Sequence, residues 1–195
     1  MNQLYDMHCH MGFAPSPIAT AQEGAAAGIG AFSCTVAPDE YERLLPILAD
    51  APNVALGLGA HPWWIADGRV GEVELDRFCE LARATRFIGE IGLDFAGPRD
   101  TEESRVRQTG AFARILAACD QPVAPSAAGD LASKLISIHA VNAAATALNL
   151  LEAAGTLARH QVIFHWFSGA SDDLHRAIKL GCFFSVGPRM LASRR

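Results

Sequence analysis

The sequence is short of positive charge. Sixteen Lys and Arg stand against 21 Asp and Glu, a formal net charge of −5. A chain without a basic excess has no electrostatic footprint for tight, sequence-blind binding to long duplex DNA. A phosphoester substrate stays open, because bound divalent cations can supply positive charge locally. Lysine is scarcer still. Only Lys134 and Lys179 occur, one at the start of an expected strand and one on an expected helix, which argues against a Schiff-base aldolase. Cys9, Cys34, Cys79, Cys119 and Cys182 are far apart, odd in number and never in a Cys-x-x-Cys pair. They read as buried, reduced thiols of a cytoplasmic protein. No apolar run is long enough to span a membrane, and Met1–Asp6 has neither the basic start nor the apolar stretch of a signal peptide. A Gly-x-Ser-x-Gly elbow and a phosphate-cradling loop with a lysine are also missing.

Half of the 195 residues are apolar and 19% are charged, the balance of an ordered globular chain. The length predicts one domain, residues 1–195, and falls short of the ~250 residues of a complete eight-stranded barrel. Seven short apolar runs stand out: Leu4–Cys9, Ile29–Val36, Val54–Ala60, Phe87–Leu93, Leu135–His139, Val162–Phe167 and Cys182–Val186. They are rich in Ile, Val and Phe and are bounded by Gly, Pro and Asp, as buried parallel strands are. Helical patterns lie between them, over Pro17–Ala27, Asp39–Ala49, Val70–Ala84, Glu102–Ala118, Ala140–Ala154 and Ser171–Gly181. Pro46 is expected to kink or break the second. Ser171 is the expected N-cap of the last, with Asp172 and Asp173 in its first turn. Asp120–Ser133, rich in Pro, Ala and Ser, is expected to be a loop without functional role. Strands alternating with helices imply a parallel sheet with right-handed crossovers. A closed barrel and an open doubly wound sheet both fit, and the polar residues decide between them.

Asp6-Met7-His8-Cys9-His10 ends the first run. Alternate strand residues share a face, so His8 and His10 can reach one metal ion while Cys9 turns toward the helices. His61 ends the third run. Glu90 is an acidic residue inside the apolar fourth run Gly89-Glu90-Ile91-Gly92-Leu93-Asp94, and Gly92 on its face leaves room beside the carboxylate. A buried carboxylate is costly unless paired or metal-bound. His139 ends the fifth run and His165 belongs to Phe164-His165-Trp166-Phe167-Ser168-Gly169 at the end of the sixth. Five of the seven histidines thus fall at or near strand C-termini, the face where barrels carry chemistry. Imidazole with carboxylate suits Zn, Mn, Fe or Ni, with Mg if water fills the shell. His160 and His175 read as ordinary surface residues. Cys34, inside a strand with no evident partner base, reads as core packing.

These motifs, in this order, resemble the TatD family of amidohydrolase-like barrels, over nearly the whole chain. The resemblance implies an α/β fold: a TIM-type (β/α) barrel of the metal-dependent hydrolase kind, incomplete, with about seven parallel strands. It implies two divalent ions, Mg, Mn or Zn. His8 and His10 would hold one and His139 and His165 the other, with Glu90 as the bridge. His61 and Asp94 would support the ligands or face substrate, and are grouped with Glu90 as catalytic. The implied activity is a deoxyribonuclease that cleaves phosphodiesters in DNA or a smaller molecule with metal-activated water. Trp63 and Trp64 would offer stacking surface for a base or pack at the mouth. In three places the sequence departs from the family, one of them the extra Asp120–Ser133 loop. Val141 replaces an arginine suited to phosphate, and the Glu-Thr-Asp of the family's last strand does not occur, so the domain reads as C-terminally truncated. Hydrolysis of C–N or carboxyl ester bonds, or an inactive metal-binding or interaction protein, are the other readings.

Overall fold

The computed structural model describes residues 4–120 and 133–192. Residues 121–132 of the expected loop therefore lie outside the described residues. The seven strands are β1 (Leu4–Cys9), β2 (Ile29–Cys34), β3 (Val54–Gly57), β4 (Phe87–Asp94), β5 (Leu135–Val141), β6 (Gln161–His165) and β7 (Phe183–Ser185). Among the described residues all strand pairings are parallel and join strands consecutive in the chain. They form two sheets, β1-β2-β3 and β4-β5-β6-β7. The join is a seam rather than a ladder. A single bridge links Leu58 to Ile88, helped by Leu58 N–H to the Phe87 carbonyl at 3.0 Å and Glu90 N–H to the Thr35 carbonyl at 2.9 Å. Gly59 lies in this seam because any Cβ there would collide with the Thr35 carbonyl.

The result is an α/β fold with parallel sheets curling as an incomplete TIM-type barrel; no strand pairing closes it among the described residues. Leu4 and Phe183 on the flanking strands, and Val186 just after β7, are exposed. An apolar cavity of about 650 Å³, lined by Tyr5, Met7, Phe32, Phe87 and Leu135, opens at the N-terminal ends of the strands. It lies away from the histidines, which gather at the C-terminal ends.

The helices are α1 (Pro17–Ala26), α2 (Pro38–Ile47), α3 (Pro62–Ala66), α4 (Glu72–Ala82), α5 (Glu102–Cys119), α6 (Ala144–Ala153), α7 (Ser171–Lys179) and α8 (Pro188–Leu191). Their starts follow capping chemistry. Ser16 Oγ accepts the Ala19 N–H, Thr101 Oγ1 accepts the Ser104 N–H, and Glu74 Oε2 accepts the Gly71 N–H. Helix α2 ends one residue after Pro46, as a proline in its last turn dictates. Ser171, expected as a cap, is instead the first helical residue of α7, with Ala170 before it. The sixth helix begins at Ala144 rather than Ala140 because β5 continues to Val141. The one-turn helices α3 and α8 were too short for a periodic signal.

Two apolar cores result. The larger runs from Leu58, Ile65 and Phe78 through Ile91, Phe112 and Ile115 to Leu148 and Phe164. The smaller, Met11, Ala21, Ala31, Leu44, Leu48 and Ala51, is sealed by α1 and α2 against the first sheet. Cys9 packs against that smaller core, and burial pushes its thiol up to about 11. All five cysteines are free. Among the described residues no helix is long and apolar enough to cross a membrane.

Candidate metal centre

Glu90 sits at the middle of β4, 2% exposed, and five imidazoles surround its carboxylate. His10 Nε2 lies 3.0 Å and His8 Nε2 3.6 Å from Oε2. His139 Nδ1 at 2.7 Å, His165 Nε2 at 2.9 Å and His61 Nε2 at 3.3 Å face Oε1. The strand geometry delivers them. His8 and His10 project together from the end of β1, where a register shift between Asp6 and Cys9 resets the alternation. His139 and His165 come from β5 and β6, and His61 from the turn into α3.

Gly92, two residues beyond Glu90, was expected to leave space beside the carboxylate. The space goes to β5 instead. Gly92 has φ +136°, and a Cβ there would overlap the backbone of His139.

Burial disfavours the charged form of Glu90, but hydrogen bonds from His10, His139, His165 and His61 outweigh it and hold the carboxyl well below its usual range. A buried anion of this kind demands positive charge. Protons can supply part of it. Burial depresses His139, yet its bonds to Asp94 and Glu90 prevail and raise it to about 9. His10 is raised against its own burial by Glu90. His8 behaves oppositely: burial, then the neighbouring His165, lowers it to about 3, so its imidazole is neutral and keeps a lone pair. Two buried polar atoms, Glu90 Oε2 and His165 Nδ1, accept or donate no well-formed hydrogen bond among the described residues. A neutral imidazole, an under-satisfied carboxylate oxygen and a ring of nitrogen donors fit a divalent cation.

Distance alone offers two ligand groups, His8 with Glu90 and His165, and His61 with Glu90 and His139. Hydrogen bonding discriminates further. His10 Nδ1 lies 3.0 Å from the Cys34 carbonyl, which can only accept, so Nε2 is left to face the centre. His139 Nε2 donates to Asp94 Oδ2 at 2.9 Å, freeing Nδ1 for the centre once it is deprotonated. His8 Nδ1 lies 3.4 Å from Ser137 Oγ, which as acceptor leaves Nε2 free. His61 differs. Its Nδ1 accepts the Trp63 N–H at 3.1 Å, capping α3, so its Nε2 carries the proton and donates to Glu90. In this arrangement His61 meets Glu90 as a hydrogen-bond donor, without an open lone pair toward the centre.

A family model for TatD-related DNase matches residues 5–195. The chain belongs to this family. No curated protein matches it. The solved structure of YjjV, a TatD homologue from Escherichia coli K12, superposes with a TM-score of 0.76 at 21% identity, over 93% of this chain and 66% of that one. The likeness supports the barrel fold, and this chain spans just under two thirds of that relative's length.

In this TatD chain the residues anticipated at the mouth, His8, His10, His61, Glu90, Asp94, His139 and His165, do gather at one place. Both oxygens of Asp94 are engaged. Its Oδ2 accepts from His139 and from Trp63 Nε1 at 2.5 Å, and its Oδ1 from the Ala96 N–H at 3.0 Å. Burial raises its carboxyl, but the bonds from His139 and Trp63 bring it below the ordinary aspartate value. Through Oδ2 it orients His139 and Trp63, and Oδ1 keeps one lone pair beyond its bond from Ala96. Gln108 fixes the Asp94 backbone from both sides, accepting its N–H at 2.7 Å and donating to its carbonyl at 2.9 Å. Gln108 was missed, although its spacing from Phe112 and Ile115 puts a polar amide on the apolar face of α5. Cys34 also has a partner: its Sγ lies 3.6 Å from His8 Nδ1. Its thiol is pushed well up by burial and then by Glu90, so it stays protonated. His160 is half-buried rather than exposed, with Nδ1 accepting the Lys134 N–H and Nε2 3.1 Å from Asp120. His175 is exposed, as expected.

Asp94→Asn tests the orienting role. The amide oxygen or nitrogen can face His139, but not with the charge that selects its tautomer. Cation affinity should fall about 10- to 100-fold with little change in fold. Unchanged affinity by calorimetric titration would remove Asp94 from the centre.

Proposed function

We propose that this chain is a metal-dependent hydrolase, a reading that its membership of the TatD family supports. We propose that it is a deoxyribonuclease or related phosphodiesterase, and that His8, His10, Glu90, His139 and His165 are its metal ligands. The supporting observation is the buried Glu90 carboxylate shared by imidazoles from β1, β5 and β6. His8 and His10 would hold one ion and His139 and His165 the other, with Glu90 between. Bound Mg, Mn or Zn supplies charge for the phosphoryl oxygens and lowers the pKa of a water molecule. The chain's own part is positioning. Asp94 and Ser137 set the tautomers of His139 and His8, and His61 donates to Glu90 so that the carboxylate keeps its orientation.

Three of the histidine-bearing turns are followed by an exposed ring. Phe13 stacks against His10 at 5.3 Å and is 65% exposed. Trp63 follows His61 and is 41% exposed, and Trp166 follows His165 and is 57% exposed. Rings around a cation site suit a substrate that carries flat bases beside phosphates. Of the pair of tryptophans anticipated, only Trp63 is exposed at the mouth. Trp64 packs against the larger core with the Arg69 guanidinium over it at 4.2 Å.

The test is metal analysis of the purified chain, followed by hydrolysis assays with Mg, Mn or Zn on short single-stranded oligonucleotides, an amide and a carboxyl ester. Cleavage of the oligonucleotide alone, abolished by chelator, is expected. Cleavage of only the amide or ester moves the reaction to another bond. Loading with cation but cleaving nothing would leave a metal-binding protein without this activity.

A further inference from the structure

Among the residues whose side chains are described, the C-terminal mouth holds one cation with no carboxylate partner. Eight described arginines, Arg43, Arg69, Arg77, Arg105, Arg107, Arg114, Arg159 and Arg176, have a carboxylate within 4.0 Å. Of the rest, Arg83 and Arg86 precede β4, at the opposite end of the barrel. Lys134 precedes β5 and is consumed by the carbonyls of Ala82 and Thr85, each at 2.7 Å. Lys179 closes α7, at that same far end. Among the arginines and lysines whose side chains are described and lack a carboxylate partner, Arg99 is the one that follows a strand, in the short turn Gly97–Arg99 after β4.

Arg99 is held without being neutralised. Its guanidinium carbon lies 4.3 Å above the Trp63 ring. Its Nε is buried and finds no hydrogen-bond partner among the described residues. The nearest acid in sequence, Asp100, is taken by Arg105 at 2.5 Å. Stacking fixes a guanidinium plane while leaving its in-plane donors free, and those donors match two oxygens of a phosphate. The ring beneath it is itself placed by the centre: Trp63 donates to Asp94, Asp94 accepts from His139, and His139 touches Glu90. A run of direct contacts therefore ties Arg99 to the carboxylate at the heart of the site.

We infer that Arg99, stacked on Trp63, is the phosphate-binding arginine of this mouth and engages a phosphodiester anion of the substrate. The inference rests on the phosphodiester reading above and adds the residue that recognises the anion. An exposed base cannot use the Trp63 face that Arg99 covers, so Trp63 acts through Arg99 on that side and Phe13 and Trp166 carry the stacking.

The experiment compares two uncleavable dinucleotides titrated into the full, metal-loaded chain. One has a bridging methylene phosphonate and keeps the negative charge; the other is a methylphosphonate diester and is neutral. The chain should prefer the charged one. Arg99→Met, which keeps an apolar stem against Trp63, should reduce that preference about tenfold or more, the scale of a charge-assisted hydrogen bond. Arg99→Lys should recover only part, because the planar fork is gone. Arg105→Met removes an equal charge from a carboxylate-paired neighbour and should leave the preference intact. A preference unaltered in Arg99→Met, or lost equally in Arg105→Met, overturns the assignment. Failure of the hydrolase reading looks different: ordinary oligonucleotides go uncleaved while the Arg99-dependent preference persists.

Discussion

Glu90→Gln should cut cation uptake by about 100-fold or more and lower the stability of the chain by about 3 kcal/mol. Both effects come from one carboxylate serving five imidazoles. The substitution is nearly isosteric, so no cavity forms. What disappears is the negative charge that raises His10, and that with Asp94 raises His139 to about 9, against their burial. Those rings must then neutralise or stay charged with less counter-charge, and either change weakens the native state. An apolar core around the site leads one to expect removal of a ligand to spare the fold. That expectation suits His165, which stacks on His8 and whose polar contact is with Glu90, but not Glu90. Metal analysis and urea unfolding of the same preparation separate the two effects. A variant with parental metal content would show that the carboxylate is no ligand. Parental stability with lost metal would show that the imidazoles do not depend on its charge.

Gly92→Ala is expected to cost about 3 kcal/mol or more and to displace His139. Its φ of +136° is hard for any L side chain, and the added methyl would meet the backbone of His139 on β5. Gly97 supplies the comparison. It has φ +56° but nothing within 4 Å of a built Cβ. Gly97→Ala should therefore cost only the left-handed backbone term, about 1–2 kcal/mol. Urea midpoints measured side by side decide the matter. Equal losses in the two variants would mean that β5 yields freely to the methyl.

The legible part of this site is the part written in strand periodicity. His8 and His10 share a face because they are two residues apart, and Glu90 draws attention as an acid inside Ile- and Leu-rich β4. Pattern also identified the seven strands to within a few residues. What it could not reveal are contacts between distant segments. The bond between Trp63 and Asp94 spans a sequence separation of 31, and that between Ser137 and His8 spans 129. The proton position on His61 follows from an amide that becomes a helix N-terminus only because Pro62 starts α3. His160 looked like a surface residue because it precedes a strand, yet Asp120 and the Lys134 amide enclose it. Ser171 has the chemistry of a cap, but Ala170 takes the extended conformation that a cap needs.

The seam between the sheets bears on how the molecule is assembled and how it should be assayed. Within each sheet every strand pairs with its neighbour in the chain, so each can close over short loops. His8 and His10 belong to one sheet, Glu90, His139 and His165 to the other. The centre therefore belongs to neither half and comes into being only when the halves dock. A preparation whose halves had parted could keep its helices and strands, and with them its far-ultraviolet circular dichroism, yet have no centre. For this chain, stoichiometric cation binding is the stricter measure of native structure, because it counts only molecules in which the seam is closed.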